Sequence, residues 1–253
     1  GKRLDPVGHV GAQLHRRLSL PLAMQVSIDP LVGETESENN SATMRTRAVR
    51  QKRSVLILDG RPRWETRYIR NLLERDKQWN ITELLANLDG TREGGWRTDG
   101  RSATFPDSRE ALFAFDLIVF GEVPRQMLTI EEQQWLEQFV GRRGGGLWFI
   151  DGRRGKLRDY VDMPVEKMLP VSWIGSAEGV RPTAMRLTPQ GTTLGELKLT
   201  RTAEDEDNLD LWSRMPPPHR VEQVGALSGA ESLFEAVSAD QLRPMLWQGR
   251  CGA

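Results

Sequence analysis

The sequence predicts an α/β protein with a three-layer, mostly parallel, doubly wound sheet, a short β segment before it and an α+β extension after it. Three observations predict this. Val55-Leu56-Ile57-Leu58 is continuously apolar, as a strand covered on both faces must be. The turn Asp59-Gly60-Arg61-Pro62 follows at once, with a proline placed where a first helical turn tolerates it, and apolar residues at helical spacing come next. Between residues 54 and 170 strand-like and helix-like stretches then continue to alternate.

Taken in order, residues 1–52 contain no convincing helix. Residues 19–28 and 43–49 partly alternate, which predicts two strands around a turn rich in Gly, Glu and Asn, with a disordered leader as the alternative. After the first core strand, Trp64, Tyr68 and Leu72, with Ile69 and Leu73, read as the buried face of a helix, and Arg67, Arg70, Glu74 and Arg75 as its outer face. Residues 78–88 read as the second strand, 108–114 as a short helix and 116–120 as the third strand. Thr129 and Glu132 form a capping box, Trp135, Leu136, Phe139 and Val140 a buried stripe, and Gly141 and Gly144 the stop of the next helix. Residues 147–150 supply the fourth strand. Residues 89–105 read as a long loop of the kind that is functional or disordered. Beyond Pro170 the rhythm is lost. Residues 181–187 and 195–200 read as short strands, and 203–210 open a helix that Pro216, Pro217 and Pro218 forbid to continue. Residues 232–237 and 242–248 read as paired strands. The domain boundaries that follow are 1–52, 53–175 and 176–253.

Thirty-five basic and thirty-five acidic side chains cancel, so no global field draws nucleic acid or an anionic membrane. Eight tryptophans occur, and those at 64, 135, 148 and 247 sit within apolar patterns that predict core positions. A single cysteine excludes an internal disulfide and a cysteine-rich metal site, and leaves the redox compartment open. No run approaches the roughly 20 apolar residues of a membrane-spanning helix, and the N-terminus has no signal-peptide pattern. The expectation is a soluble segment of a longer protein, with any membrane attachment outside it.

Ligands of an open parallel sheet bind at the carboxyl ends of the strands, where strand order reverses. Those ends carry Asp59, Gly60, Arg61 and Arg63, then Gly121 and Glu122, then Asp151, Gly152, Arg153 and Arg154. Asp59, Arg61, Arg63, Glu122, Asp151 and Arg153 are therefore the candidate ligand-binding residues, a mixed-charge rim able to grip a carboxylate or phosphate through guanidinium groups. The alternative is that these charges pair with one another and fix the turns. Asp59, Glu122 and Asp151 are hard oxygen donors of the kind magnesium prefers, but no ligand spacing marks them and arginines compete for them, so no metal or cofactor is assigned. Glu65 suits the dipole of its helix, and His219 follows three prolines as a surface loop residue. Gly144-Gly145-Gly146 precedes a strand, whereas phosphate cradles precede helices.

The stretch Asp59-Gly60-Arg61-Pro62-Arg63-Trp64-Glu65, followed by Arg67-Tyr68 and Asn71-Leu72-Leu73-Glu74-Arg75-Asp76, resembles the type 1 glutamine amidotransferase-like domain of large bacterial membrane-anchored proteins that also carry von Willebrand factor A domains. The likeness runs through Gly33-Glu34, residues 38–40, 115–121, 144–147, 169–171, 187–191 and 208–212, and Met215-Pro216-Pro217, and so covers most of residues 31–253. It implies a flavodoxin-like, class I amidotransferase-like core preceded by the tail of a small β-sandwich. Other domains of the same longer chain, or associated membrane proteins, are the implied partners. The chemistry of that class needs a cysteine thiolate on a strand-to-helix elbow with a histidine base. Here the lone cysteine is Cys251, the elbow reads Phe149-Ile150-Asp151-Gly152, and the histidines are His9, His15 and His219. The expectation is a non-catalytic ligand- or protein-binding module. A hydrolase using Asp59, Glu122 and Asp151 and a purely structural spacer are the alternatives.

Overall fold

The computed structural model describes residues 21–27, 40–47, 52–87, 89–175, 179–200, 205–238 and 241–249. The chain divides into two compact units, residues 1–52 and 53–253. In the first, β1 (Pro21–Ser27) pairs antiparallel with β2 (Ser41–Arg47), Leu22 opposite Thr46 and Val26 opposite Ala42. The predicted turn between them and the predicted strand residues 19, 20, 28, 48 and 49 lie outside the described residues.

The second unit is an α/β structure around a mixed six-stranded sheet. Its strands are β3 (Arg53–Asp59), β4 (Trp79–Ala86), β5 (Trp96–Thr98), β6 (Arg101–Ala103), β7 (Leu117–Phe120) and β8 (Gly146–Phe149), in the order β6-β5-β4-β3-β7-β8. The four strands β4, β3, β7 and β8 are mutually parallel. Helices α1 (Trp64–Arg75), α2 (Arg109–Phe113) and α3 (Ile130–Gly141) connect them. The alternation of β3 explains its unbroken apolar run. Leu56 and Leu58 join Ile118 and Phe120 against Leu112, Leu136 and Phe139 of α2 and α3, while Val55 and Ile57 join Val119 on the other face, against Ile69 and Leu73 of α1. The capping box of α3 is present, with the Glu132 amide donating to Thr129 Oγ1 at 3.1 Å and the Thr129 amide donating to the Glu132 carboxylate at 2.7 Å.

Residues 89–105, expected as a loop, contain the hairpin β5–β6. Asp99 and Gly100 both have positive φ, 46° and 78°, the backbone a two-residue hairpin turn requires. The hairpin adds antiparallel to β4 and buries Trp96 opposite Ala86. The expected strand at 195–200 is instead a single 3-10 turn, Gly195–Leu197, and only β10 (Ala184–Leu187) of residues 181–187 is extended. An unforeseen short helix, α4 (Pro189–Thr193), starts where Thr188 Oγ1 accepts from the Gly191 amide and Pro189 occupies the first helical position. After α5 (Asp205–Ser213), β12 (Glu231–Ser238) and β13 (Gln241–Gln248) pair antiparallel and form with β10 a separate sheet. Trp212 packs edge-on to Phe234, 4.6 Å between ring centroids. A further two-stranded sheet pairs β9 (Val171–Trp173), which follows the six-stranded sheet in sequence, antiparallel with β11 (Val224–Ala226), which lies between β10 and β12. Among the described residues, no helix is long and apolar enough to cross a membrane.

The predicted buried face of α1 is corrected. Ile69 and Leu73 pack on the sheet and Thr66 is buried, but Trp64, Tyr68 and Leu72 are 65%, 66% and 68% exposed. The apolar residues of α1 span a wider arc than one sheet face can cover. Arg70 rolls the helix onto β4, donating to Glu83 at 2.7 Å. Of the other tryptophans expected in the core, Trp135 is partly buried against α3's neighbours, Trp247 is half-buried and Trp148 is 43% exposed.

Emptying the fully buried Phe139 site (Phe139→Ala) is therefore expected to destabilise by about 3–5 kcal/mol. Trp64→Ala should cost under about 1 kcal/mol, as surface changes do. Urea unfolding of both variants measures the contrast, and equal losses would contradict the outward placement of Trp64.

Candidate functional site

The parallel strand order reverses between β3 and β7, so the carboxyl ends of β3, β7 and β8 meet along one edge. Asp59 ends β3 and is fully buried. Its Oδ1 accepts from the amides of Gly60 at 2.7 Å and Glu122 at 3.2 Å, and its Oδ2 accepts from Arg63 Nε at 2.8 Å. Arg63 stands just before α1, with a side chain only 5% exposed. Its Nη2 donates to the carbonyl of Ile150, after β8, at 2.9 Å. One guanidinium thus joins the ends of β3 and β8 and, through Asp59, the end of β7. Two glycines let it pass. A Cβ at Gly121 would lie 2.6 Å from Arg63 Nη2 and from Asp59 Oδ2, and one at Gly152 would lie 2.3 Å from Arg63 Nη1.

Glu122 is 1% exposed at its side chain. Its Oε1 accepts from the Arg154 amide, and its Oε2 lies 3.8 Å from Arg61 Nη2 at the rim. Asp151 Oδ1 accepts from the amides of Gly152 at 2.9 Å and Leu157 at 3.4 Å. Burial drives the Asp151 carboxyl up from its ordinary 3.8 to about 6, against the pull of those two amides and with the help of the Glu122 and Glu222 carboxylates. Glu222 comes from beyond the three prolines and pairs with Arg220 at 2.9 Å.

The structure therefore brings Asp59, Arg63, Glu122 and Asp151 together, sets Arg61 at the edge of the group, and leaves Arg153 exposed with no hydrogen bond or ion pair among the described residues. Asp59 is fully satisfied within the group, whereas Arg63 Nη1, Glu122 Oε2 and Glu222 Oε2 are buried without a hydrogen bond. Sequence reasoning missed the Arg154 amide, the Ile150 carbonyl and Glu222; the glycine after each of Asp59 and Asp151 signalled the close packing, and no sequence pattern links Glu222 to the turn. Among the described residues no group of His, Cys, Asp or Glu side chains could hold a metal ion. His219 is exposed, and Cys251, His9 and His15 lie outside the described residues. An open cleft of about 440 Å³ lies elsewhere, between Trp96 and Phe105 on one side and Thr129, Glu132 and Trp135 on the other, and none of the six candidate residues lines it.

No protein-family model, curated protein or solved structure matches this chain.

Two outcomes follow from the geometry. Arg63→Met strands Asp59 as a buried carboxylate without its counter-charge, and the expected loss is about 3–5 kcal/mol. Adding Asp59→Asn should recover a substantial part of that loss; in a double-mutant cycle by urea unfolding, additive losses would refute a coupled pair. For Asp151 the raised pKa means that the folded chain holds a proton between pH 3.8 and 6 that the unfolded chain releases. The stabilisation by the protonated form is complete below about pH 4 and is lost as pH rises through 6. Asp151→Asn keeps the oxygen acceptor without the charge. It should be more stable than the parent at pH 8, by at most about 3 kcal/mol, with the gap closing near pH 4. A variant less stable than the parent at pH 8 would contradict this account.

Proposed function

We propose that this chain is a non-catalytic, class I amidotransferase-like module that binds a protein or other ligand within a larger membrane-associated bacterial protein. Other domains of that protein, or membrane proteins associated with it, are its partners. The fold part of this reading is a flavodoxin-like, three-layer arrangement, supported by the parallel order β4-β3-β7-β8 with helices on both faces. The parent protein and its setting rest on the sequence resemblance of residues 31–253.

One observation carries the functional part. The strand ends where such a sheet would seat a nucleophile and its substrate are filled by Arg63, bonded to Asp59 and to the Ile150 carbonyl, beside an elbow whose residue is Asp151. A nucleophile needs a base within hydrogen-bond reach, and His219 is on an exposed loop after the prolines. The competing hydrolase reading draws on a specific observation of its own, the Asp151 carboxyl raised to about 6, a value that suits an acid or base. Burial beside Glu122 accounts for that value without catalysis.

The purified chain is expected to release no ammonia from glutamine, and Cys251→Ala to change nothing in that assay. Glutamine hydrolysis abolished by Cys251→Ala would overturn the non-catalytic reading, and an ester or amide hydrolysis abolished by Asp151→Asn would favour the carboxylate hydrolase.

A further inference from the structure

The cleft of about 440 Å³ beside the β5–β6 hairpin falls in the size range of small-molecule sites and lies apart from the strand-end residues. Trp96 and Phe105 are buried at its floor, their rings 6.2 Å apart, and Trp135 of α3 lines it partly buried. Glu131 stands four residues before Trp135, on the same face of α3, so its carboxylate and the indole border the same space. Asp107 lines the cleft from the segment that enters α2.

The lining carries one guanidinium, Arg92, and three carboxylates, Asp107, Glu131 and Glu132. Arg92 is spent, since it donates to both oxygens of Glu132, at 2.6 and 3.0 Å, and to the Met127 carbonyl at 3.1 Å. Asp107 accepts only from the Ser108 hydroxyl at 3.2 Å, and the Glu131 carboxylate has no hydrogen bond or ion pair among the described residues. Both free charges of the lining are therefore negative. Outside the lining Glu93, Arg101 and Arg125 are exposed and unpaired among the described residues, Arg109 is held by Glu110 at 2.8 Å, and Arg97 stands on the other face of β5 from Trp96. With Glu93, Arg101 and Arg125 counted, four carboxylates still oppose three guanidinium groups. Among the described residues no arginine stacks on Trp96, Phe105 or Trp135, although Trp64, Trp79, Phe113 and Phe139 each carry one.

We propose that this cleft binds a small organic cation, an ammonium head on a short apolar chain, with the head among Asp107, Glu131 and the Trp135 ring and the chain over Trp96 and Phe105. The proposal rests on reading the chain as a ligand-binding module and names the class of ligand. Carboxylates and aromatic faces attract an ammonium alike, while a bare inorganic cation needs a shell of oxygens that an aromatic floor does not supply. An anion would meet two unpaired carboxylates, and at the start of α3 the Glu132 amide is already taken by Thr129 Oγ1.

Choline, its uncharged tert-butyl analogue with carbon in place of nitrogen, and butyrate separate charge from shape when titrated into the whole chain, with the tryptophan indole N–H signals followed by nuclear magnetic resonance. Choline is expected to bind saturably and to move the Trp96 and Trp135 signals, with the uncharged analogue at least about tenfold weaker and butyrate weaker still. Glu131→Gln and Asp107→Asn change exposed side chains that hold no other element in place. Each should weaken choline by about threefold or more and leave the uncharged analogue unchanged, and the two together should remove most of the preference for the cation. Trp135→Phe assigns the Trp135 signal and should weaken choline less than Trp135→Leu, which keeps an apolar group but no ring. An uncharged analogue or butyrate bound as tightly as choline, choline binding that survives both carboxylate substitutions, shifts confined to other tryptophans, or no saturable binding of choline would each overturn the proposal. Glutamine hydrolysis reads the non-catalytic proposal separately, since a cation in this cleft neither requires nor excludes a nucleophile at the strand ends.

Discussion

The Asp59–Arg63 pair is the interaction on which the arrangement of the parallel strands depends. A carboxylate at the buried end of β3 is costly unless it is paired and hydrogen-bonded, and here one guanidinium and two amides satisfy it. The guanidinium in turn reaches the Ile150 carbonyl, so the ends of β3, β7 and β8 are held in one register at the point where strand order reverses. The requirement propagates into the sequence. Gly121 and Gly152 cannot carry a side chain because the guanidinium runs through the space a Cβ would fill. Of the acids and arginines at the strand ends, Asp59 and Arg63 are thereby committed to one another.

The rest of the cluster is less completely paired: Arg63 Nη1, Glu122 Oε2 and Glu222 Oε2 are buried without a hydrogen bond. Asp151 shares the site with Glu122 and lies near Glu222, and burial raises its pKa above that of an ordinary carboxylate. Its two amide donors offset only part of the cost, so the turn after β8 carries unfavourable charge near neutral pH. A turn that served stability alone would place asparagine there. Either the charge is used in the intact protein or it is tolerated because the Asp59–Arg63 pair holds the turn in place.

How much the sequence reveals depends on whether one local pattern decides the outcome. The continuous apolar run 55–58, cut short by the Asp59-Gly60 turn, suits a strand covered on both faces, and the Thr129–Glu132 capping box marks the start of α3 by residues three apart. The β5–β6 hairpin was legible too, in Asp99-Gly100 between short strand-forming runs, but the glycine-rich surroundings obscured it. The roll of α1 was not legible. Its apolar residues occupy an arc too wide to choose a face, and the choice is made by Glu83 on β4, which takes Arg70. The strand-end cluster was legible as a set of residues, because parallel strands bring their carboxyl ends together. Its internal pairing was not, since that depends on the reach of Arg63 to a backbone carbonyl 87 residues away.

The two faces of the sheet are unequal. Nineteen buried apolar residues form the core on the α2 and α3 side, against three on the α1 side, among the described residues. A sheet with parallel strands is ordinarily covered on both faces, because each parallel strand presents apolar residues to both. Here the α1 side ends in exposed aromatics on the helix and on the edge strand. The Asp59–Arg63 pair fills part of the strand-end edge, while an apolar, aromatic surface is left open on the α1 side.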